Sequence, residues 1–143
     1  MSVRRFIVDT NVLVAGLITR APNSPTVRVL DAMLEGSLHC VVSPALLDEY
    51  RAVLLRPKLQ RMHGLTMSEL DTLLAEIVAN AQWLEPTPNS THTAPDPGDQ
   101  HLWLLLAQDS SFCLVTGDKL LLDQPRPGSL VISPGDCLQW LSH

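Results

Sequence analysis

The sequence predicts a three-layer α/β fold, a mostly parallel sheet with helices on both faces. Three observations predict it. Short apolar runs alternate along the chain with segments that carry helix caps and helical periodicity. The runs are consecutively apolar, as in Phe6-Ile7-Val8, which is the pattern of strands buried on both faces. The chain has 143 residues, a length that suits one domain, and residues 1–143 are read as one. Such a chain buries roughly 68–70% of its unfolded surface, so it needs neither a disulfide nor a structural metal to fold.

The elements follow in order. Val3–Val8 is the first strand. Pro25–Gly36 reads as a helix, with Val27, Leu30, Met33 and Leu34 on one face and Gly36 as its stop. Leu38–Val42 is the second strand. Ser43-Pro44 supplies an N-cap and a proline at the first helical position of a helix to about Leu55, with Pro57 just beyond it. Thr66-Met67-Ser68-Glu69 is a capping box that opens a helix to about Asn80. Trp83-Leu84 marks a short third strand. Pro86–Pro95 is a polar loop with three prolines and is expected to be the most mobile part of the chain. Asp96-Pro97 repeats the cap-plus-proline signal and starts a helix to about Gln108, apolar nearly all round and therefore deeply packed. Phe112–Thr116 is a strand and Val131-Ile132 a weaker one. Ser133-Pro134 caps a last helix toward Leu141.

Composition narrows the function classes. Apolar residues at 45% and charged residues at 17% exclude a disordered chain. A net charge of −5 excludes a bulk polycation that coats nucleic acid, but leaves room for an enzyme with a local basic strip. The five His and three Cys form no C-x-x-C or H-x-x-x-H pattern, so no zinc framework is expected. Cys40 and Cys113 lie in apolar runs and Cys137 in a helix. Thiols without close pairs fit small core residues in a reduced cytosol, and the Trp residues read as core too. The N-terminal apolar run is too short for a signal-peptide core, and no stretch is long enough for a membrane span. The expected location is cytoplasmic.

Four acids fall at the carboxyl ends of the strands, where such sheets bind ligands. Asp9 follows the first strand directly, and Asp118 follows Phe112–Thr116 after a glycine. Glu49 and Asp99 lie in the first turns of helices that start from the same edge. At about 100° per residue, Leu46, Leu47, Tyr50, Val53 and Leu54 form a buried stripe. Glu49 borders that stripe, while Asp48 points nearly opposite. Leu102, Trp103 and Leu106 continue the face of Asp99 inward, and no Lys or Arg stands three or four residues on to pair with it. Carboxylates that share a pocket repel one another and take up protons unless a hard dication such as Mg2+ or Mn2+ joins them. Such a site activates water and neutralises charge on a phosphodiester. No G-x-S-x-G, P-loop or G-x-G-x-x-G competes.

Each acid also has a local explanation. Asp9 can be a turn or cap residue, Asp99 and Glu49 can complement helix dipoles, and Asp118 can cap the turn at Lys119–Asp123. One shared metal explains the whole set. Asp96, followed by Pro97, reads as a cap, and Asp123 as a solvated acid. His101 reads as surface or as a residue behind the site, because it points to another side of its helix than Asp99. Arg51, Arg56, Lys58 and Arg61 form the basic cluster. It either complements the helix dipole or, with Arg51, Arg56 and Lys58 foremost, grips substrate phosphates. Arg4 and Arg5 precede the first strand and lie at the opposite edge.

These blocks resemble the PIN-domain nucleases. Ile7-Val8-Asp9-Thr10-Asn11-Val12-Leu13 looks like that family's opening motif. Val42-Ser43-Pro44-Ala45-Leu46-Leu47-Asp48-Glu49-Tyr50 resembles its second block, Asp96-Pro97-Gly98-Asp99 before an apolar helix its third, and Leu114-Val115-Thr116-Gly117-Asp118 its fourth. The four occur in the family's order, and Ile132-Ser133-Pro134 also fits. The nearest look is to bacterial and archaeal PIN proteins that are toxins of toxin–antitoxin pairs.

The resemblance implies a Rossmann-like sheet and a Mg2+- or Mn2+-dependent endoribonuclease whose acidic set is Asp9, Glu49, Asp99 and Asp118. Asp9, Asp99 and Asp118 would hold the metal, and Glu49 would hold it or orient water. Asn11 and Thr116 match positions that support the acids from behind. RNA as substrate, an antitoxin partner and a homodimer are further implications. Two departures stand out. Gly98 and Leu120 occupy positions where relatives often carry Asp, which thins the outlying acidic density and counts against a second metal. Two other readings compete. One is a PIN fold kept only for binding or assembly. The other is a phosphatase of the haloacid dehalogenase type, which wants D-x-D where this chain has Asn11 in the third position.

Overall fold

The computed structural model describes residues 4–88 and 91–141. It contains β1 (Arg5–Val8), α1 (Thr10–Ile18), α2 (Pro25–Glu35), β2 (Cys40–Val42), α3 (Pro44–Leu54), α4 (Pro57–His63), α5 (Met67–Ala79), β3 (Ala81–Trp83), α6 (Gln100–Leu106), β4 (Phe112–Val115), α7 (Lys119–Asp123), β5 (Leu130–Ile132) and α8 (Pro134–Leu141). A 3-10 turn at Pro97–Asp99 precedes α6. Val3 of the expected first strand and residues 89 and 90 of the expected mobile loop lie outside the described residues.

The five strands form one sheet in the order β3-β2-β1-β4-β5, and every pairing is parallel. The α/β expectation is met, with more parallel character than the sequence required. β1 is central, buried at Phe6, Ile7 and Val8. The chain builds outward from it on one side through β2 and β3, then returns to pair β4 on the other. Loops therefore diverge at the carboxyl ends of β1 and β4, which opens a crevice there.

Local signals explain most helix starts. The Ser43 hydroxyl accepts from Leu46 N–H at 3.1 Å, a cap whose loss costs about 1 kcal/mol. Thr66 and Glu69 form the reciprocal capping box. Asp96 accepts from Gly98 N–H at 2.9 Å. Gly36 ends α2 in the left-handed conformation at φ 78°.

Four expectations need correction. α1 has no sequence signal that separates it from β1, because Thr10–Ile18 is apolar over most of its surface and shows no amphipathic stripe. Gly16 lets it lie close on α2, since a Cβ there would stand 2.8 Å from the Thr26 carbonyl oxygen. Pro57 does not merely follow α3; it is the first residue of α4. The expected helix from Asp96 to Gln108 is a 3-10 turn followed by the seven-residue α6. Finally, Trp103 is buried, but Trp83 and Trp140 are 44% and 46% exposed.

The described part of the loop before α6 is tied down, with Ala94 buried and its N–H donating to Gln100 Oε1 at 2.8 Å. The buried side chains form one contiguous core, with Trp103 and Tyr50 the largest. The Tyr50 hydroxyl donates to the Val8 carbonyl and so ties α3 to the end of β1. Burial holds the thiols of Cys40, Cys113 and Cys137 protonated, as inert core groups.

Candidate active site

The crevice begins where β1 ends. Asp9 N–H donates to the Val115 carbonyl at 2.9 Å, which sets Asp9 beside the end of β4. Asp9 is also the N-cap of α1, and its Oδ1 accepts from Thr10 N–H at 2.8 Å. Its Oδ2 accepts from the Thr116 hydroxyl at 2.8 Å and from Asn11 Nδ2 at 3.2 Å. Gly117 N–H donates to Asn11 Oδ1 at 2.9 Å, and Asp118 N–H to Thr116 Oγ1 at 3.0 Å. Asn11 and Thr116 thus stitch the first acid to the loop that carries the last one.

Glu49 reaches the same place from α3. Its Oε2 accepts from the Thr10 hydroxyl at 2.8 Å and lies 3.2 Å from His101 Nε2. Asp118 caps α7 through Leu120 N–H at 2.9 Å. Asp99 stands at the junction of the 3-10 turn and α6 and makes no capping hydrogen bond there.

One open cleft of about 400 Å³ is lined by Asp9, Glu49, Asp99 and Asp118 together with Thr10, Asn11 and Arg56. All four sequence-selected acids therefore face a single space, floored by apolar side chains such as Val14, Ile18 and Leu59. The fields of the acids overlap. Asp99 is pushed up to about 6, first by burial and then by Asp9, Asp96, Glu49 and Asp118. Burial also raises Asp9, against the hydrogen bonds from Thr116 and Thr10 that favour its charged form.

Neutralisation is the unmet need of this cleft. Its donors are all oxygen, the preference of a hard dication, and so they fit Mg2+ or Mn2+ in kind. Among the described residues, no three His, Cys, Asp or Glu side chains are already drawn together as a ready-made ion cage. Hydrogen bonds from Thr10, Thr116 and Asn11 hold Asp9, one from the Thr10 hydroxyl holds Glu49, and one from Leu120 N–H holds Asp118.

The basic cluster divides. Arg56 lines the acidic cleft. Arg51 does not; its Nε binds Asp71 Oδ1 at 3.0 Å, beside an apolar groove between α3 and α5. Lys58 and Arg61 are exposed on α4, outside the cleft lining. Arg4 lies at the opposite edge, its guanidinium 5.3 Å from the Trp140 ring centre.

One residue at the site went unread in the sequence. Thr10 stands inside the D-T-N block, yet its hydroxyl serves Glu49, a contact across 39 positions. His101 is absent from the cleft lining that Asp99 joins, and its Nε2 lies 3.2 Å from Glu49 Oε2, in keeping with the reading of a residue behind the site.

Residues 5–120 match the family described as PIN domain, a span that holds all four acidic positions. No curated protein matches the chain.

Proposed function

Because the chain belongs to the PIN-domain family, whose members are generally nucleases that use divalent metal ions, we propose that it is a Mg2+- or Mn2+-dependent endoribonuclease. The observation that carries this reading is the single cleft shared by Asp9, Glu49, Asp99 and Asp118. Asp9, Asp99 and Asp118 would hold the ion. Bound there, it supplies Lewis acidity toward a phosphodiester and a water of lowered pKa.

The chain's own groups do the rest. Thr116, Asn11 and Thr10 N–H fix the Asp9 carboxylate at the crevice wall. Glu49 would orient the attacking water. Arg56 offers the one cation of the lining to a substrate phosphate. A role as the toxin of a toxin–antitoxin pair extends the same reading. The apolar groove of Leu47, Leu74, Ala75, Val78 and Ala79 supports a protein partner, either an antitoxin or a second copy.

The test is Asp9→Asn. It should abolish Mn2+-dependent cleavage of single-stranded RNA while circular dichroism stays unchanged; a variant as active as the parent overturns the reading. A second reading, a PIN fold kept for binding or assembly, draws support from the lack of a ready-made group of three metal-ligating side chains among the described residues. Calorimetry divides the two, since the module predicts no uptake of millimolar Mn2+.

A further inference from the structure

The geometry points to His101 as a positioning residue for Glu49, one that fixes which carboxylate oxygen faces the acidic cleft. This rests on the nuclease reading above for its purpose, though not for its geometry. His101 Nε2 lies 3.2 Å from Glu49 Oε2. The Thr10 hydroxyl donates to that same oxygen at 2.8 Å. A hydroxyl donor from α1 and a ring nitrogen from α6 converge on one oxygen of a residue of α3. Both rotation of the carboxylate and swinging of the Glu49 stem break at least one of these bonds. Glu49 lines the cleft, and these contacts engage only its Oε2.

The ring chemistry follows from its surroundings. His101 is 17% exposed at its side chain, and its Nδ1 is a buried atom with no hydrogen-bond partner. A buried N–H without an acceptor is costly, and a bare nitrogen lone pair is the lesser loss. The arrangement therefore favours hydrogen on Nε2, the nitrogen that meets Glu49, over Nδ1. The site uses one face of the ring as a donor and hides the other. No other His, and no Lys or Arg, makes a hydrogen bond or ion pair to Glu49 among the described residues.

The first measurement is on the metal-free protein and needs no substrate. Nitrogen NMR of the His101 ring should show Nε2 carrying hydrogen and Nδ1 bare, and Glu49→Gln should shift the Nε2 signal. A ring with hydrogen on Nδ1, or an Nε2 signal indifferent to Glu49→Gln, overturns the proposal whatever the protein does to RNA. The second measurement is calorimetry with Mn2+ alone. His101→Ala should weaken binding about 10- to 100-fold, the usual cost of losing a group that orients a ligand. His101→Gln, whose amide nitrogen reaches nearly as far as Nε2, should restore most of it. Equal Mn2+ affinity in parent and His101→Ala overturns the positioning role. A parent that takes up no Mn2+ removes the nuclease reading alone, and the ring measurement then decides the contact.

Discussion

Thr116 stands between Asp9 and Asp118: its hydroxyl donates to Asp9 Oδ2 at 2.8 Å and accepts from Asp118 N–H at 3.0 Å. Thr116 and Asp9 are both buried, so the Asp9 carboxylate cannot turn to bulk water for a replacement. Thr116→Val keeps the shape and removes the hydroxyl. It should cost about 1–3 kcal/mol in urea denaturation, because it strands an N–H and one bond to a carboxylate. Thr116→Ser should retain most of the stability. A valine variant as stable as the parent would show that the bridge adds nothing.

The acidic cleft makes stability depend on pH in a definite direction. Asp99 rises from 3.8 to about 6, with burial the largest cause. A carboxyl whose folded value lies above its unfolded one favours folding fully below about pH 4, and that contribution is lost as pH rises through about 6. Asp9 shifts the same way. Asp99→Asn should therefore match the parent's melting temperature near the acid end and exceed it near neutrality. Thermal melts across that window, without metal, check the sign.

Metal and proton compete for the same oxygens. Mn2+ should raise the melting temperature of the parent more near neutrality than in mild acid, and chelation should reverse the rise. At a hundred times its dissociation constant the ion would add about 2.7 kcal/mol. Asp9→Asn should lose this gain. An equal rise in that variant would place the ion elsewhere.

The two arginines that the sequence grouped together should separate in assay. Arg56 lines the cleft, whereas Arg51 is held by Asp71. Arg56→Ala should weaken RNA binding evenly across sequences and lower the salt-dependence slope by about 1. Arg51→Ala should leave both unchanged. Binding isotherms at several salt concentrations read the difference.

The seat of α1 depends on Gly16. A methyl there would meet the Thr26 carbonyl oxygen at 2.8 Å and Leu30 Cβ at 3.0 Å. Gly16→Ala should destabilise the fold by about 1–3 kcal/mol, through overpacking against backbone that cannot yield. Calorimetric melting tests it, and an unchanged melting temperature would mean that α1 shifts freely.

Much of this molecule was written locally. Phe6-Ile7-Val8 and Phe112–Val115 read as strands buried on both faces and are central in the sheet. Ser43, Thr66 and Asp96 announced the starts of three helical segments through side chains that bond their own backbone. The four acids could be named because each sits next to a strand end or a cap, features that sequence order records. α1 could not be seen, since a helix packed on several sides loses the stripe that periodicity detects.

What only the tertiary structure decided is which side chains meet. The pairing of Glu49 with Thr10 and His101, the capture of Arg51 by Asp71, and the bridge through Thr116 all join residues distant in the chain. The physical reason is the same in each case. Local sequence governs backbone conformation within a few residues, but the partner of a carboxylate is set by how α1, α3 and α6 dock around β1 and β4. The docking of α6 on α3 decides that His101, which the sequence leaves as surface or as a residue behind the site, is a neighbour of Glu49.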